Sequence, residues 1–291
     1  MRRRTLIGVV ATGGLLTAAG GALALGEALS WPALRAAGEP PPGLDAKAVR
    51  VAVTGGAEVG GWFSPGRPGR GAVLLLHGVR GSRHAMVGRA LFLHRLGIAT
   101  LATDLPGHGE SPAPHITFGA NESHGVVAAL AWLRQRCPGE RIGTIGVSLG
   151  AASLVLARPD PAPAAVVLES MYPTIEEAVA DRLALHVGSG AAVLTPALLW
   201  QMPWVLGVRP GQLHPIEALA TLRAPLLIAA GSADRHTTLA ETERLYAAAP
   251  GPDKSLWVVP GAAHVDLHRF ATADYESRVG AFLQGRLNQA G

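Results

Sequence analysis

From residue 49 onward, short runs of β-branched and aliphatic residues alternate with longer stretches of helical periodicity. Eight runs predict strands, at residues 49–53, 58–63, 72–76, 98–103, 142–147, 165–168, 226–229 and 256–259. Strands that alternate with helices are typical of a mostly parallel sheet with helices packed against it. With 48% hydrophobic residues, the chain can bury a large core, which excludes a disordered or fibrous protein. We therefore predict an α/β domain over residues 48–291.

The connection from residue 170 to residue 222 is too long for an ordinary crossover between strands. Its periodicity predicts helices at residues 175–187, 197–206 and 216–222. Insertions of this length in α/β domains are usually functional, so we predict a small helical lid. Trp200, Met202 and Trp204 are candidate substrate-binding residues on an apolar underside of this lid. The alternative is that they only pack the insertion onto the sheet.

The formal net charge of +4 and the pI near 9.8 raise the possibility of an acidic partner such as nucleic acid. However, Arg2, Arg3 and Arg4 carry three of the four surplus charges, and an uncharged run over residues 5–26 follows them. This pattern indicates an export signal, with Ala22-Leu23-Ala24 as a cleavage site, or an uncleaved membrane anchor. We therefore expect no nucleic-acid partner, and residues 1–29 to engage the export machinery or a membrane.

The predicted location is thus outside the cytoplasm, either secreted or held at a membrane by residues about 5–26. Arg3-Arg4 resembles the core of a twin-arginine signal, and the export route stays open. Residues 30–47 contain the run Pro40-Pro41-Pro42 and predict an extended Pro-rich linker. Because Cys137 is the only cysteine, an intrachain disulfide is impossible, and no cysteine is placed for a lipid anchor.

Gly146-Val147-Ser148-Leu149-Gly150 is a G-x-S-x-G motif between a predicted strand and a predicted helix. A sharp turn at this point leaves no room for side chains at the two glycines and holds the serine hydroxyl at the carboxyl edge of the sheet. In a chain with 37 glycines the motif alone is weak. Its place between strand and helix is what makes Ser148 a candidate nucleophile.

Serine is a poor nucleophile without a base, and that base needs an acid to orient it. Asp234 follows the predicted strand at 226–229, and His264 follows the last predicted strand. These two residues are therefore the candidate acid and base. Glu169, at the end of the strand before the lid, is a second candidate for the acid. His268 lies four residues after His264, but without the glutamate of H-E-x-x-H the pair gives little support for a metal site.

The developing oxyanion of acyl transfer needs hydrogen-bond donors. One candidate is the backbone N–H of Leu149, the residue after the nucleophile. The other is the N–H of Val79, in the loop that follows the predicted strand at 72–76. In the same loop, His77 is expected to brace the backbone by hydrogen bonds.

Several ordered segments together resemble the α/β-hydrolase superfamily, in particular serine esterases of the BEM46-like and prolyl-oligopeptidase-like type. They are residues 74–78, 104–111, the motif at Ser148, residues 169–170, 214–219 with 224–227, 231–234 and 261–264. The resemblance implies an α/β-hydrolase fold, with an eight-stranded, mostly parallel sheet, helices on both faces and a helical lid. It also implies that no metal or organic cofactor is needed. Consistent with this, a chain whose only lysines are Lys47 and Lys254 cannot form a P-loop.

The resulting hypothesis is a serine hydrolase of the carboxylesterase or lipase type (EC 3.1.1), which cleaves a small-molecule ester through an acyl-enzyme. Ser148 is the nucleophile, His264 the base and Asp234 the acid. An exported serine peptidase or amidase is an alternative, since such enzymes share this fold. A binding protein that keeps the scaffold without turnover is an alternative of another class.

Overall fold

The computed structural model describes residues 20–21 and 23–289. Within these residues the strands are β1 (Ala33–Leu34), β2 (Lys47–Ala52), β3 (Glu58–Ser64), β4 (Ala72–Leu76), β5 (Ala99–Thr103), β6 (His108–Gly109), β7 (Ile142–Val147), β8 (Ala165–Glu169), β9 (Leu226–Gly231) and β10 (Lys254–Val259).

Residues 23–30 are helical and are called α1. The following helices are α2 (Val87–Arg95), α3 (Ala120–Arg136), α4 (Leu149–Leu156), α5 (Ile175–His186), α6 (Thr195–Trp200), α7 (Met202–Val205), α8 (Pro215–Leu219), α9 (Leu239–Ala248), α10 (Leu267–Phe270) and α11 (Thr272–Leu287). Three short 3₁₀ segments lie at Arg83–Met86, Ser189–Leu194 and Pro210–Gln212.

Eight strands form one sheet in the order β10-β9-β8-β7-β4-β5-β3-β2. β3 pairs antiparallel with β2 and with β5, and the other pairs are parallel. The predicted eight-stranded, mostly parallel sheet is therefore confirmed. β4 has β5 as its neighbour on one side and β7 on the other, so the chain runs from β4 to β5 and later crosses to the opposite side of β4. Ligands of open α/β sheets bind at such a switch point, at the carboxyl ends of the strands.

Each face of the sheet carries its own hydrophobic core. One core packs buried side chains of the strands against α3, α4, α8 and α9, with Leu74, Leu130 and Leu154 among its members. The other packs the opposite face against α2 and α11, with Leu75 and Val279 among its members. The strands at the centre are apolar on both faces, as expected for a sheet covered by helices on both sides.

The predicted insertion is present between β8 and β9. It contains α5 to α8, and the predicted helix over 197–206 is divided into the short helices α6 and α7. A third, smaller core of Ile175, Leu199, Met202, Val208 and Leu213 holds the insertion together. The insertion is thus a small helical unit with apolar contacts of its own.

The stretch between α1 and β2 lies along the domain surface. β1 pairs with β6 in parallel, and Ala37 and Leu44 are buried. Most of the predicted export segment, residues 1–19 and 22, lies outside the described residues. Among the residues that are described, no helix combines the length and the hydropathy needed to cross a membrane.

Candidate active site

Ser148 stands alone between the end of β7 and the start of α4. Its backbone has φ 51° and ψ −113°, a conformation that costs energy in any residue other than glycine and that marks functional turns. A Cβ atom on Gly150 would lie 2.5 Å from the carbonyl oxygen of Leu76, and one on Gly146 would lie 2.7 Å from the backbone of Ala151. The turn therefore needs glycine at both flanking positions, as the motif predicts.

The loops that follow β9 and β10 bring Asp234 and His264 together. The backbone N–H of Ala233 donates a hydrogen bond of 2.9 Å to the carbonyl oxygen of Ala262, and this ties the two loops to each other. His264 Nδ1 donates to Asp234 Oδ2 over 2.8 Å. Because Nδ1 carries the proton in this bond, Nε2 of His264 keeps a lone pair with which to accept another proton.

The Asp234 carboxylate is fully enclosed by donors. Its Oδ1 accepts hydrogen bonds from the backbone N–H groups of His236 (2.8 Å) and Thr237 (3.0 Å), and its Oδ2 accepts from the Thr237 hydroxyl (2.9 Å) as well as from His264. Burial by itself raises the pKa of Asp234. The hydrogen bond from His264 and those from the backbone outweigh it, and the pKa is lowered from its ordinary value. Asp234 is thus held as an anion beside the imidazole.

Ser148 and His264 line the same cavity, which has a volume of about 370 Å³ and also contains Gly78 and His236. Ser148 is only 3% exposed, and its hydroxyl has no hydrogen-bond partner within the described part of the chain. Buried polar atoms are nearly always paired. A buried serine hydroxyl without a hydrogen-bond partner, in a cavity that also contains an oriented histidine, is the arrangement expected of a nucleophile before substrate binds. Bonds between nucleophile and base are also often looser without substrate.

Val79 and Leu149 both line a cavity together with Ser148. Leu149 is the first residue of α4, where N–H groups lack partners within the helix. Neither N–H donates a hydrogen bond to another described residue. His77 braces the Val79 loop from below, because its Nδ1 donates to the carbonyl oxygen of Gly78 and its Nε2 accepts from the N–H of Leu105. The two amides are therefore available to an oxyanion.

A second cavity, of about 280 Å³, extends from Ser148 beneath the lid. Of the three predicted lid residues, none lines it. Trp200 and Trp204 are 70% and 79% exposed, and the expectation that they form the lid's underside is wrong for both. Since they are four residues apart, they share one face of the short helices α6 and α7, and that face points to solvent. Met202 lies on the opposite face and is buried against Leu199 in the core of the insertion.

The residues that do line this cavity come from other places in the chain. Helix α5 contributes the largest group, with Ile175, Ala178, Val179, Arg182, Leu183 and His186. Their spacing of three and four residues is the helical period, so the periodicity of this segment could have identified them. Phe118 and Tyr172 complete the apolar wall, with the Tyr172 hydroxyl donating to the carbonyl oxygen of Phe118 over 2.8 Å. The cavity is thus predominantly apolar, and its polar lining residues are Arg80, Ser148, Arg182 and His186.

Glu169, the second candidate for the acid, has other partners. Arg89 donates to it from Nε over 3.0 Å and from Nη2 over 2.5 Å, and the Tyr275 hydroxyl donates over 2.5 Å. All three side chains are buried. The Glu169 carboxylate is thereby engaged in an ion pair beneath the site, whereas Asp234 contacts His264 directly.

Two further histidines extend from His264 along the site. The rings of His236 and His264 have centroids 5.0 Å apart, and those of His186 and His236 are 5.9 Å apart. Burial, and then the neighbouring His264, lower the pKa of His236, so His236 is neutral at neutral pH. The described residues contain no group of three or more histidine, cysteine, aspartate or glutamate side chains that could hold a metal ion.

Comparisons with known proteins agree with this architecture. A family model described as the alpha/beta hydrolase family matches residues 73–275. An uncharacterized protein of Mycobacterium tuberculosis is 33% identical over 239 residues, which cover 78% of this chain and 74% of the relative.

Solved structures share the fold at lower identity. An esterase of Pyrococcus furiosus matches with a TM-score of 0.75 and 24% identity, over 89% of this chain and 98% of that one. A dienelactone hydrolase of Anabaena variabilis matches with a TM-score of 0.60 and 21% identity, over 83% of this chain and 98% of that one.

Proposed function

The chain belongs to the alpha/beta hydrolase family, and we propose that it is a serine esterase, which cleaves a carboxylic ester through an acyl-enzyme. The observation that carries the proposal is the arrangement at the carboxyl edge of the sheet. There an unpaired, buried Ser148 hydroxyl shares a cavity with His264, and His264 is oriented by the Asp234 carboxylate.

In the proposed mechanism, Ser148 Oγ attacks the carbonyl carbon of the ester while His264 Nε2 takes the hydroxyl proton. Asp234 keeps the imidazole in the tautomer that can accept this proton and stabilises the imidazolium. The N–H groups of Val79 and Leu149 donate to the oxyanion of the tetrahedral intermediate. Each such donor lowers the activation free energy by about 3 to 4 kcal/mol. His264 then gives this proton to the leaving alcohol. In the second half of the reaction, water attacks the acyl carbon while His264 takes its proton, and the proton returns to Ser148 Oγ as the carboxylic acid leaves.

The shape of the site favours an ester with an apolar acyl group. The cavity beneath the lid is lined largely by aliphatic and aromatic side chains and begins at Ser148. The cavity that contains His264 is the more polar of the two, with Arg89, Ser170 and Asp266 in its lining. We propose that the acyl chain enters the first cavity and that the alcohol leaves through the second. The fold shared with an esterase of Pyrococcus furiosus supports an ester as the class of substrate.

A fluorophosphonate probe tests the nucleophile. We expect it to label the wild-type protein and to leave Ser148→Ala unlabelled. Ser153→Ala is the matched control, because Ser153 lies on α4, directly after the turn at Ser148, and its hydroxyl donates to the carbonyl oxygen of Leu149, away from the cavities. Absence of label on the wild type would contradict the proposed mechanism and favour a binding protein on a hydrolase scaffold. Equal labelling of Ser148→Ala would show that the probe reacts with another residue, and would contradict the role of Ser148.

A panel of substrates tests the class of reaction. Nitrophenyl esters from acetyl to long-chain acyl are compared with aminoacyl nitroanilides under the same conditions. We expect turnover of the esters, with a preference for acyl chains longer than acetyl. Faster turnover of the nitroanilides would instead favour the peptidase alternative.

We further propose that residues 1–29 direct the enzyme out of the cytoplasm, by an export signal or as a membrane anchor. The three arginines before an uncharged run of about 20 residues support this proposal. Cell fractionation followed by mass analysis of the protein tests it. A chain that begins at Leu25 indicates cleavage, and a membrane-bound chain that retains Arg2 to Arg4 indicates an anchor. Recovery of the full chain from the cytoplasm would contradict both.

A further inference from the structure

Helix α1 forms one wall of the cavity that extends from Ser148 beneath the lid. The side chains of Leu25 and Leu29 line this cavity together with the nucleophile. Because they are four residues apart, they lie on the same face of the helix. They are 41% and 42% exposed, so each touches the cavity on one side and solvent on the other. Helix α1 therefore forms part of the boundary between the cavity and solvent.

Helix α1 also packs against the lid insertion. A small space of about 40 Å³ between them is lined by Gly26 and Leu29 on one side and by Leu199 and Met202 on the other. A Cβ atom on Gly26 would overlap the side-chain amide of Gln201. Glycine at this position thus allows α1 to approach the insertion closely.

The end of α1 is fastened to the loop that carries the oxyanion donor. Arg80, directly after Val79, donates from Nη2 to the carbonyl oxygens of Ala28 (2.6 Å) and Leu29 (3.3 Å). These are terminal carbonyls of a helix, which lack partners within it, and a cation there is also favoured by the helix dipole. A second attachment follows at Ser30, which is buried and whose carbonyl oxygen accepts from the N–H of Ile116 over 2.7 Å.

We propose that α1 is part of the substrate site, in which Leu25 and Leu29 select the length of the acyl chain and Arg80 is the positioning residue that holds the helix in place. This inference rests on the proposed esterase function. It gives the end of the predicted export segment a role in catalysis. Cleavage after Ala24 would leave Leu25 as the first residue, so both leucines remain whether the segment is removed or kept.

The test is the acyl-chain profile of variants with a smaller or a larger wall. In Leu25→Ala/Leu29→Ala, we expect kcat/KM for the octanoyl ester to fall by about tenfold or more, since apolar contacts with the chain are lost. The acetyl ester lacks the chain that would contact this wall, so we expect its kcat/KM to change by less than about threefold. Leu29→Trp fills the cavity, so it should also depress octanoyl turnover and spare acetyl turnover. Leu34→Ala is the control, because Leu34 is exposed and lies outside the cavity lining.

Arg80 is tested by the same profile. Arg80→Met should reproduce the loss of octanoyl preference through a higher KM, with kcat for the acetyl ester retained. Arg80→Lys, which can still donate to the helix carbonyls, should restore much of the preference. A loss of kcat for both esters without a change in their ratio would show that Arg80 supports only the oxyanion loop, and would overturn its role as the positioning residue.

Fluorophosphonate labelling of Ser148 is measured on every variant, and this separates a failure of the proposed esterase function from a failure of the proposed role of α1. If the wild type neither takes the label nor hydrolyses esters, the proposed function fails. If the wild type is active and labelled, but neither the double-alanine nor the Leu29→Trp variant changes the octanoyl to acetyl ratio relative to Leu34→Ala, the role of α1 is overturned. Because both leucines are partly exposed, we expect the variants at these two positions to remain folded.

Discussion

His264 Nδ1 and Asp234 Oδ2 lie 2.8 Å apart, although thirty residues separate them in the chain. The two residues stand on adjacent loops, which hydrogen bonds hold together. The N–H of Ser232 donates to the carbonyl oxygen of Val259 over 2.9 Å, and the N–H of Gly261 donates to the side-chain hydroxyl of Ser232 over 2.8 Å. The distance between these two side chains therefore follows from the pairing of β9 with β10.

Asp234→Asn should reduce kcat for nitrophenyl acetate by about 10⁴-fold, because an amide donor facing Nδ1 favours the wrong tautomer of His264. Glu169→Gln is the comparison, since Glu169 is paired with Arg89 and Tyr275. Its kcat should fall by less than about tenfold. Steady-state kinetics on both purified variants measure kcat. A larger loss of kcat in Glu169→Gln than in Asp234→Asn would make Glu169 the acid of the site.

Arg83→Met should lower the free energy of unfolding by about 3 to 5 kcal/mol, because it leaves the buried carboxylate of Asp104 without its cation. In the wild type, Arg83 donates to Asp104 from Nη2 over 2.6 Å and from Nε over 3.0 Å, and both side chains are buried. Arg244→Met is the matched control. Its ion pair with Glu177 is solvent-exposed and should contribute less than about 1 kcal/mol. Urea unfolding at pH 7 measures both, and equal losses would contradict the assignment.

His77 should make stability depend on pH. Burial, and then the neighbouring His108, lower the pKa of His77 from 6.5 to about 4, so the folded protein keeps this ring neutral where the unfolded chain binds a proton. The contribution is fully present above pH 6.5. As the pH falls from 6.5 to 4 it is lost at up to about 1.4 kcal/mol per pH unit, or on the order of 3 kcal/mol in all.

Urea unfolding of the wild type and His77→Asn at several pH values between 7 and 5 measures this term. The slope of unfolding free energy against pH should be smaller in the variant by up to about 1.4 kcal/mol per pH unit, which is the value for one proton. His124→Asn, on the exposed side of α3, is the control and should keep the wild-type slope. An unchanged slope in His77→Asn would show that other groups cause the acid sensitivity.

Gly150→Ala should be destabilising and nearly inactive, because its Cβ would collide with the carbonyl oxygens of Leu76 and His77 and displace the Leu149 N–H. Gly285→Ala should instead raise stability by about 0.5 to 1 kcal/mol, since the residue is exposed within α11 and its Cβ meets open space. Thermal unfolding together with esterase kinetics compares the two. Wild-type activity in Gly150→Ala would mean that the turn at Ser148 tolerates a side chain.

The fold and the catalytic candidates could be predicted because both depend on local patterns that a parallel sheet brings together. Runs of apolar residues identify the strands, and the loops after parallel strands meet at one edge of the sheet. Ser148, Asp234 and His264 each follow such a strand, in the order that the fold requires. For these residues the order of strands and loops along the chain was enough to indicate that they meet.

The lining of the cavity was decided by the tertiary structure. Trp200 and Trp204 have the apolar character expected of a lid, but two short helices present them to solvent. Leu25 and Leu29 have the character of an export signal, but the contacts of α1 with Arg80 and the insertion place them at the cavity. Hydropathy identifies the apolar side chains but not where they lie. Whether such a side chain lies in a core, in a substrate site, in a membrane or at the surface depends on packing between distant segments, which local periodicity does not contain.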